Sequence, residues 1–234
     1  MRSDSPFVQA RLTEIRARIA AAAPPGRDPA GIAVVAVTKY LAPERMRELR
    51  AAGLGIFGEN RAREALAKLE YFAAQPPERR PREWHFIGTL QGNKVREVVG
   101  RFDLIHSLDR METARRVSQA AVERGIAQRA LLQACVSGEE SKHGFAPGEL
   151  EQAWPELAAL PGLRLEGLMG MAAALGDPRP AFRALRALRD RLDPGAARLR
   201  ELSMGMSGDF EAAVAEGATL LRIGTLLYSE EAGA

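Results

Sequence analysis

Lys39 ends the segment Gly31–Lys39, in which nearly all the other residues are apolar. The chain contains 33 lysine and arginine residues, yet only four are lysines, so arginine fills nearly every other basic position. Burial disfavours the charged ammonium form of a lysine, and an uncharged amine can form a Schiff base with an aldehyde. The sequence therefore marks Lys39 as a candidate for covalent binding of an aldehyde. The alternative is a lysine that ends a strand and extends into solvent.

Small and polar residues suited to phosphate binding follow the last two apolar runs of the chain. Ser203–Asp209 has the composition of a tight turn, and Ser207 is predicted to begin a helix, whose N-terminus offers free N–H groups and a partial positive charge. Gly224 and Thr225 follow the final apolar run. Taken alone, Ser207 is an ordinary helix cap and Gly224 an ordinary turn residue. Together with Lys39, the two loops predict a phosphate site.

A Schiff-base lysine next to a phosphate site indicates an aldehyde that carries a phosphate, as pyridoxal 5′-phosphate (PLP) does. Arg222, in the last apolar run, is placed to face the pyridine nitrogen of such a ring. A guanidinium only donates hydrogen bonds, so Arg222 would keep that nitrogen unprotonated and the ring a weak electron sink. Transaminases place a carboxylate there instead. The alternative for Arg222 is a salt bridge at the rim of the fold.

The elements that must position these residues follow from the alternation of short apolar runs with helical patterns. Eight repeated strand–helix units favour a parallel sheet, and within 234 residues they favour a closed barrel. The carboxyl ends of barrel strands form the active face of this fold, and Lys39 lies at the first such end. The predicted strands are Ile32–Thr38, Leu54–Gly58, Glu83–Ile87, Phe102–His106, Arg129–Val136, Leu163–Met169, Arg200–Met204 and Ala218–Ile223.

Helices are predicted before the first strand, over Phe7–Ala23, and after every strand but the last. Asp109 is predicted to cap the helix after the fourth strand, with Glu112 in the position of a capping box. A short helix is predicted over Ser207–Glu216. The fold class is therefore α/β, a single (β/α)8 TIM barrel spanning residues 1–234 with an extra N-terminal helix.

Composition narrows the function classes. The single cysteine, Cys135, lies in an apolar run, which favours a small core residue in a reduced, cytoplasmic protein. No apolar stretch is long enough to span a membrane. The net charge is +3 and the pI about 9.3, but the arginines alternate with acidic residues on helical faces, so we expect no nucleic-acid partner.

Seven segments of the chain resemble those of the pyridoxal phosphate homeostasis proteins (the YggS/PROSC family). The resemblance runs from about residue 8 to residue 228, with the segments in family order. Its two departures are mild, since many members have serine where Thr38 and Gly92 stand. The segments are Ala36–Lys39, Phe57–Asn60, Trp84–Gly88, Leu90–Lys94, Leu168–Met169, Leu202–Asp209 and Val214–Thr225.

The resemblance implies a barrel like the N-terminal domain of alanine racemase that binds PLP through a lysine and helps to balance free vitamin B6 in the cell. The family has no assigned turnover reaction, and PLP-dependent apoenzymes are its implied partners. The residues this places in the site are Lys39 on the aldehyde, Ser207, Gly224 and Thr225 on the phosphate with Ser203 nearby, Arg222 on the ring nitrogen, and Asn60, His85 and Met169 along the pocket.

Two other functions stay open at this point. The first is an amino-acid racemase or related enzyme that uses Lys39 as a base, and the second is an aldolase-type Schiff base without pyridoxal. The sequence favours binding without turnover, because the chain ends soon after the eighth strand whereas alanine racemase has a further β domain and takes a second base from its partner subunit. The tyrosines Tyr40, Tyr71 and Tyr228 are not clearly placed as such a base. The missing domain also favours a monomer.

Lys142 lies in the loop predicted after the fifth strand, on the same face as Lys39. It either takes part in handing the aldehyde on or is an exposed loop lysine.

Overall fold

Eight parallel strands close into a barrel in which each strand pairs with the next and the last pairs with the first. The computed structural model describes residues 6–137 and 143–228, and the number of strands is given for this part of the chain. The architecture confirms the predicted (β/α)8 barrel. The strands are β1 (Ala33–Val37), β2 (Ile56–Glu59), β3 (Glu83–Phe86), β4 (Leu104–Leu108), β5 (Gln128–Gln133), β6 (Leu163–Met169), β7 (Glu201–Met206) and β8 (Leu220–Ile223).

Helices surround the barrel, and one of them precedes β1 as predicted. The apolar stripe of the seventh helix is buried as its spacing requires, with Phe182, Leu185 and Leu188 fully inaccessible to solvent. Within the described residues the helices are α1 (Pro6–Ala22), α2 (Pro43–Ala51), α3 (Ala62–Ala73), α4 (Val95–Val98), α5 (Met111–Glu123), α6 (Pro147–Ala159), α7 (Arg179–Leu192), α8 (Phe210–Ala215) and α9 (Thr225–Tyr228).

The apolar core has two parts because barrel strands are buried on both faces. The larger part lies between the strands and the helices. The smaller part fills the barrel interior, where it shares the space with a row of polar side chains described below. Its buried members are Val35, Ile56, Leu104, Leu131, Met169 and Leu220.

The fifth strand is shorter than predicted. It ends at Gln133, so Cys135 lies in the following loop and is partly exposed. The expectation that Cys135 is a buried core residue is therefore wrong. Ala134 still donates to the Met169 carbonyl on β6 at 2.9 Å, but the backbone then pairs with Phe145, whose carbonyl accepts the Cys135 N–H at 2.9 Å.

The predicted capping box at the start of α5 is also wrong. The helix begins at Met111, and the residue before it, Arg110, makes no capping bond with its side chain. The Asp109 carboxylate accepts a hydrogen bond from the Thr113 hydroxyl at 3.2 Å. Glu112 pairs with Arg116 one turn further on.

Two helix boundaries near the predicted phosphate site differ from expectation. Helix α8 begins at Phe210 after Asp209, so Ser207 lies in the preceding turn and not at a helix start. A helix was not predicted after β8, but α9 begins there at Thr225. In the described part of the chain, none of the helices has the length and apolar character needed to cross a membrane.

Candidate functional site

Lys39 lies just beyond the carboxyl end of β1, as predicted, and is half-buried. Its Nζ atom stands 4.8 Å from the centroid of the Tyr40 ring, a distance typical of a cation–π contact. Tyr40 is itself 71% exposed. The amine therefore lies at the mouth of the barrel, by which we mean the carboxyl ends of the strands.

A buried ion pair supports the end of β1 directly below Lys39. The Nζ atom of Lys68, on α3, lies 2.8 Å from Oε1 of Glu59 at the end of β2. Lys68 also donates to the Thr38 carbonyl at 2.7 Å, and the Thr38 hydroxyl donates to the same Glu59 oxygen at 2.6 Å. These contacts fix the peptide group that joins Thr38 to Lys39.

The loops after β7 and β8 meet at the mouth. The Gly224 N–H donates to the Ser207 hydroxyl oxygen over a long 3.4 Å. A Cβ atom built on Gly224 would lie 3.4 Å from the Cβ atom of Val37, because β8 pairs with β1. The structure thus brings Ser207 and Gly224 together and sets them beside the strand that leads to Lys39. Thr225 follows as the exposed first residue of α9.

Arg222 is buried inside the barrel, with 5% of its surface exposed. Its Nη1 atom donates to the Ser203 carbonyl at 2.8 Å and the Ser203 hydroxyl at 2.6 Å, and its Nη2 atom donates to the Gly170 carbonyl at 3.0 Å. Burial lowers the pKa of Arg222 to about 10, which leaves the group charged at neutral pH. Because a guanidinium has five N–H donors, two remain without a partner among the described residues. Arg222 makes no ion pair with a described carboxylate.

His85 and His106 lie deeper in the barrel, exposed by 1% and 0%. The Nδ1 atom of His106 is 2.9 Å from the Ser203 hydroxyl, and its Nε2 atom is 2.9 Å from Nδ1 of His85. Burial and the nearby His85, Arg222 and Arg129 hold the pKa of His106 well below its usual value. His106 is therefore neutral. His85 lies between His106 and Glu83 in the barrel interior.

Glu83 is the next member of this row of polar groups and lies at the amino-terminal end of β3. One carboxylate oxygen lies 3.1 Å from Nε2 of His85 and accepts from Arg129 at 2.9 Å. Hydrogen bonds from His85 and Arg129 lower the pKa of Glu83 to about 2. Glu83 is therefore ionised at neutral pH.

Three buried polar atoms near the mouth lack a partner among the described residues. They are Oε2 of Glu59 at the end of β2, Oδ1 of Asn60, which follows β2, and the hydroxyl of Ser107, near the end of β4. Buried polar atoms in folded proteins are normally hydrogen-bonded, so a mouth with unpaired groups and two spare Arg222 donors fits a polar ligand. Met169 belongs to the apolar interior, and the carbonyl of the next residue, Gly170, holds Arg222.

A cavity of about 410 Å³ lies at the opposite end of the barrel from the mouth, between α1 and the starts of β1 and β2. Leu12, Ile32 and Gly55 are among its lining residues, and none of the residues predicted for the site is. This cavity therefore lies away from the predicted chemistry, and the grouped polar side chains locate the site better.

Sequence reasoning gave no role to Glu59, Lys68 or His106. Lys68 could have been recognised, because it is one of only four lysines and lies nine residues after Glu59, which directly follows a predicted strand. His106 was recognisable as a polar residue within an apolar strand. Lys142 lies outside the described residues.

The comparisons with known proteins agree with one another. Residues 14–232 match the family described as alanine racemase, N-terminal domain. The pyridoxal phosphate homeostasis protein of Aquifex aeolicus is 43% identical over 201 residues, which cover 84% of this chain and 86% of that protein. Its counterpart in Pseudomonas aeruginosa is 41% identical over 218 residues, 93% of each chain.

A solved structure agrees as well. PipY of Synechococcus elongatus, with PLP bound, superposes with a TM-score of 0.81 at 35% identity, over 95% of this chain and 100% of that one. The chain therefore belongs to the alanine racemase N-terminal domain family and, within it, to the pyridoxal phosphate homeostasis proteins.

Proposed function

We propose that this chain binds PLP through a Schiff base to Lys39 and takes part in PLP homeostasis without a turnover reaction of its own. The observation that carries the proposal is the meeting of three loops at the mouth, where Ser207 and Gly224 lie beside the strand leading to Lys39. Relatives that bear the homeostasis name and a relative solved with PLP bound support the choice of ligand.

Each polar group at the mouth has a role in this proposal. The bound cofactor supplies an aldehyde, with which an amine condenses to a C=N bond with loss of water. Lys39 provides that amine. Ser207, Gly224 and Thr225 bind the phosphate, with Ser203 close to them through Arg222. The Gly224 N–H donates to the Ser207 oxygen over a long 3.4 Å, so this N–H and the Ser207 hydroxyl hydrogen can both donate to phosphate oxygens.

Arg222 supports binding without turnover. It is charged at neutral pH and can only donate, so its spare N–H groups suit an unprotonated pyridine nitrogen. A ring held in that state is a weak electron sink. Asn60 offers an unpaired carbonyl oxygen to the ligand, Met169 forms part of the apolar floor, and a direct contact of His85 with the ligand stays a prediction.

The proposal extends to the setting in which the protein acts. It includes PLP-dependent apoenzymes as acceptors, a monomer formed from one domain over residues 1–234, and a cytoplasmic location. The exposed Tyr40 beside Lys39 gives an acceptor protein access to the cofactor.

Reductive trapping tests the covalent link. Borohydride treatment of the protein mixed with PLP, followed by mass mapping of tryptic peptides, is expected to label the peptide that contains Lys39. Lys39→Ala is expected to lose both the label and the visible absorbance band. Lys94→Ala is the matched control, because Lys94 pairs with Glu97 at the surface. A label on another lysine with Lys39 unmodified would contradict the proposal.

Chiral analysis tests the absence of turnover. We expect no conversion of L-alanine or L-serine to the D form after prolonged incubation with the PLP-loaded protein. Robust conversion that is lost in Lys39→Ala would show a racemase instead.

A further inference from the structure

Four hydrogen bonds, three of them buried, join Arg222 to the far end of the barrel. They run from Arg222 to Ser203 at 2.6 Å, from Ser203 to His106 at 2.9 Å, from His106 to His85 at 2.9 Å, and from His85 to Glu83 at 3.1 Å. The residues lie on β8, β7, β4 and β3 and reach nearly from one end of the barrel to the other. We call this row the histidine chain.

The Glu83 end of the histidine chain fixes one direction of donation. An ionised carboxylate only accepts, so Nε2 of His85 must carry the hydrogen. This contact does not fix whether Nδ1 of His85 donates or accepts, which depends on the other end of the histidine chain.

The Arg222 end fixes the direction of the remaining bonds. Arg222 only donates, so the Ser203 oxygen accepts from it, and the Ser203 hydrogen is left for Nδ1 of His106. A neutral His106 that accepts at Nδ1 carries its hydrogen on Nε2 and donates it to Nδ1 of His85, so every donor in the histidine chain meets an acceptor. The alternative, with hydrogen on Nδ1 of His106, leaves the buried Ser203 hydrogen without an acceptor in the chain, a costly state for a buried polar group.

We infer that His106 and His85 are positioning residues for the ring nitrogen of the bound cofactor, acting through Ser203 and Arg222. The chain turns the Ser203 hydrogen away from the site and its oxygen toward Arg222, which holds the guanidinium in place. Arg222 is then the donor that meets the nitrogen, and Ser203 adds no second one. The inference rests on the proposed function, since it takes Arg222 as the partner of that nitrogen.

The hydrogen arrangement is measurable without cofactor. The chain has three histidines, and ¹⁵N-histidine labelling with long-range ¹H–¹⁵N correlation distinguishes the two neutral ring forms and the charged one. We expect hydrogen on Nε2 in both His85 and His106, with His106 neutral, and the exposed His143 to serve as the reference. Hydrogen on Nδ1 of His106, or a charged His106 at neutral pH, would overturn the inference even if PLP binds.

The positioning role is measurable with two ligands that differ at one atom. Wild-type protein is expected to bind PLP more tightly than 1-deaza-PLP, in which a C–H group replaces the ring nitrogen. In Ser203→Ala and His106→Gln this preference should fall by about three- to tenfold, the value of one hydrogen bond, whereas His143→Gln should keep it. General destabilisation would weaken both ligands alike and leave the ratio unchanged.

An unchanged ratio in both variants would overturn the positioning role. If the proposed function itself fails, neither ligand will bind the wild-type protein at all, and the NMR result still decides the hydrogen arrangement. If a variant of the histidine chain does not fold, the NMR measurement still tests the hydrogen arrangement, because it uses the unmodified sequence.

Discussion

Two of the four lysines lie at the end of β1. Only Lys39 is placed to bind a ligand, and Lys68 holds the backbone next to it. Lys39 lies at the mouth, whereas Lys68 is 8% exposed and pairs with a fully buried Glu59. Removing one partner of such a pair leaves an uncompensated buried charge. The residue that reacts therefore depends on a neighbour that never meets the ligand.

Lys68→Met is expected to lower the free energy of unfolding by about 3–5 kcal/mol, because it leaves the buried Glu59 carboxylate without its charged partner. Lys94→Met is the matched control. Lys94 and Glu97 also lie 2.8 Å apart, but both side chains are more than one third exposed, so that loss should stay below about 1 kcal/mol. Urea unfolding followed by circular dichroism measures both. Equal urea midpoints for the two variants would show that the buried pair contributes no more to stability than the exposed pair.

At the scale of elements, the turn between β7 and α8 sets the position of Ser207. Gly205 has a φ angle of 90°, in the left-handed region that favours glycine. A Cβ atom built on it would lie 2.6 Å from the Cβ atom of Ala213 on α8. The strand can therefore pack this closely against its helix only with glycine at 205.

Gly205→Ala is expected to destabilise the fold by at least about 1 kcal/mol, through backbone strain and overpacking, and to weaken PLP binding because the Ser207 turn moves. Gly208→Ala, three residues on, is the control, since a Cβ atom there meets nothing within 4 Å. Thermal unfolding and PLP titration measure the two effects. If Gly205→Ala bound PLP as tightly as wild type, the turn would not be what places Ser207.

At the scale of the whole molecule, the barrel interior combines an apolar cluster with the histidine chain. The polar row continues beyond Glu83 through Arg129 to Glu166, with contacts of 2.9 Å at each step. The interior is therefore not a uniform apolar plug, and its stability depends on the protonation of groups far from solvent.

The free energy of unfolding is expected to fall as the pH drops below about 6.5, the ordinary pKa of a histidine. His106 stays neutral in the folded protein, whereas the unfolded chain takes up a proton there, so acid favours unfolding by up to about 1.4 kcal/mol per pH unit. His85, Arg222 and Arg129 face His106 and add to the effect. Below pH 4.5, Glu83 adds a second loss, because its folded pKa of about 2 lies below its unfolded value.

Urea unfolding at a series of pH values from about 8 to about 5 measures this slope. His106→Gln should flatten it, while His143→Gln, at an exposed site, should leave it as in wild type. An equally steep slope in His106→Gln would show that another group binds the proton.

Much of the fold could be read from the sequence, because each strand is a short apolar run and each helix has a clear apolar stripe. The boundary errors have local causes. Ser207 was expected to start a helix, but Asp209 lies directly before α8, and a serine and an aspartate two residues apart are both good candidates for the cap. The apolar residues around Cys135 looked like a strand, but pairing with Phe145 takes them out of the sheet.

The sequence by itself determined the strand order, the barrel and the place of Lys39 at the end of β1, since these depend on local patterns and chain order. Tertiary structure decided that Ser203 and His106, 97 residues apart, share a hydrogen bond, and that Arg222 binds Ser203 and Gly170 in place of a carboxylate. The physical reason is that the sheet closes into a barrel. Because both faces of each strand are buried, the strand sequences do not alternate between exposed polar and buried apolar residues. They therefore do not show which side chains point inward, and only the closed barrel brings those side chains together.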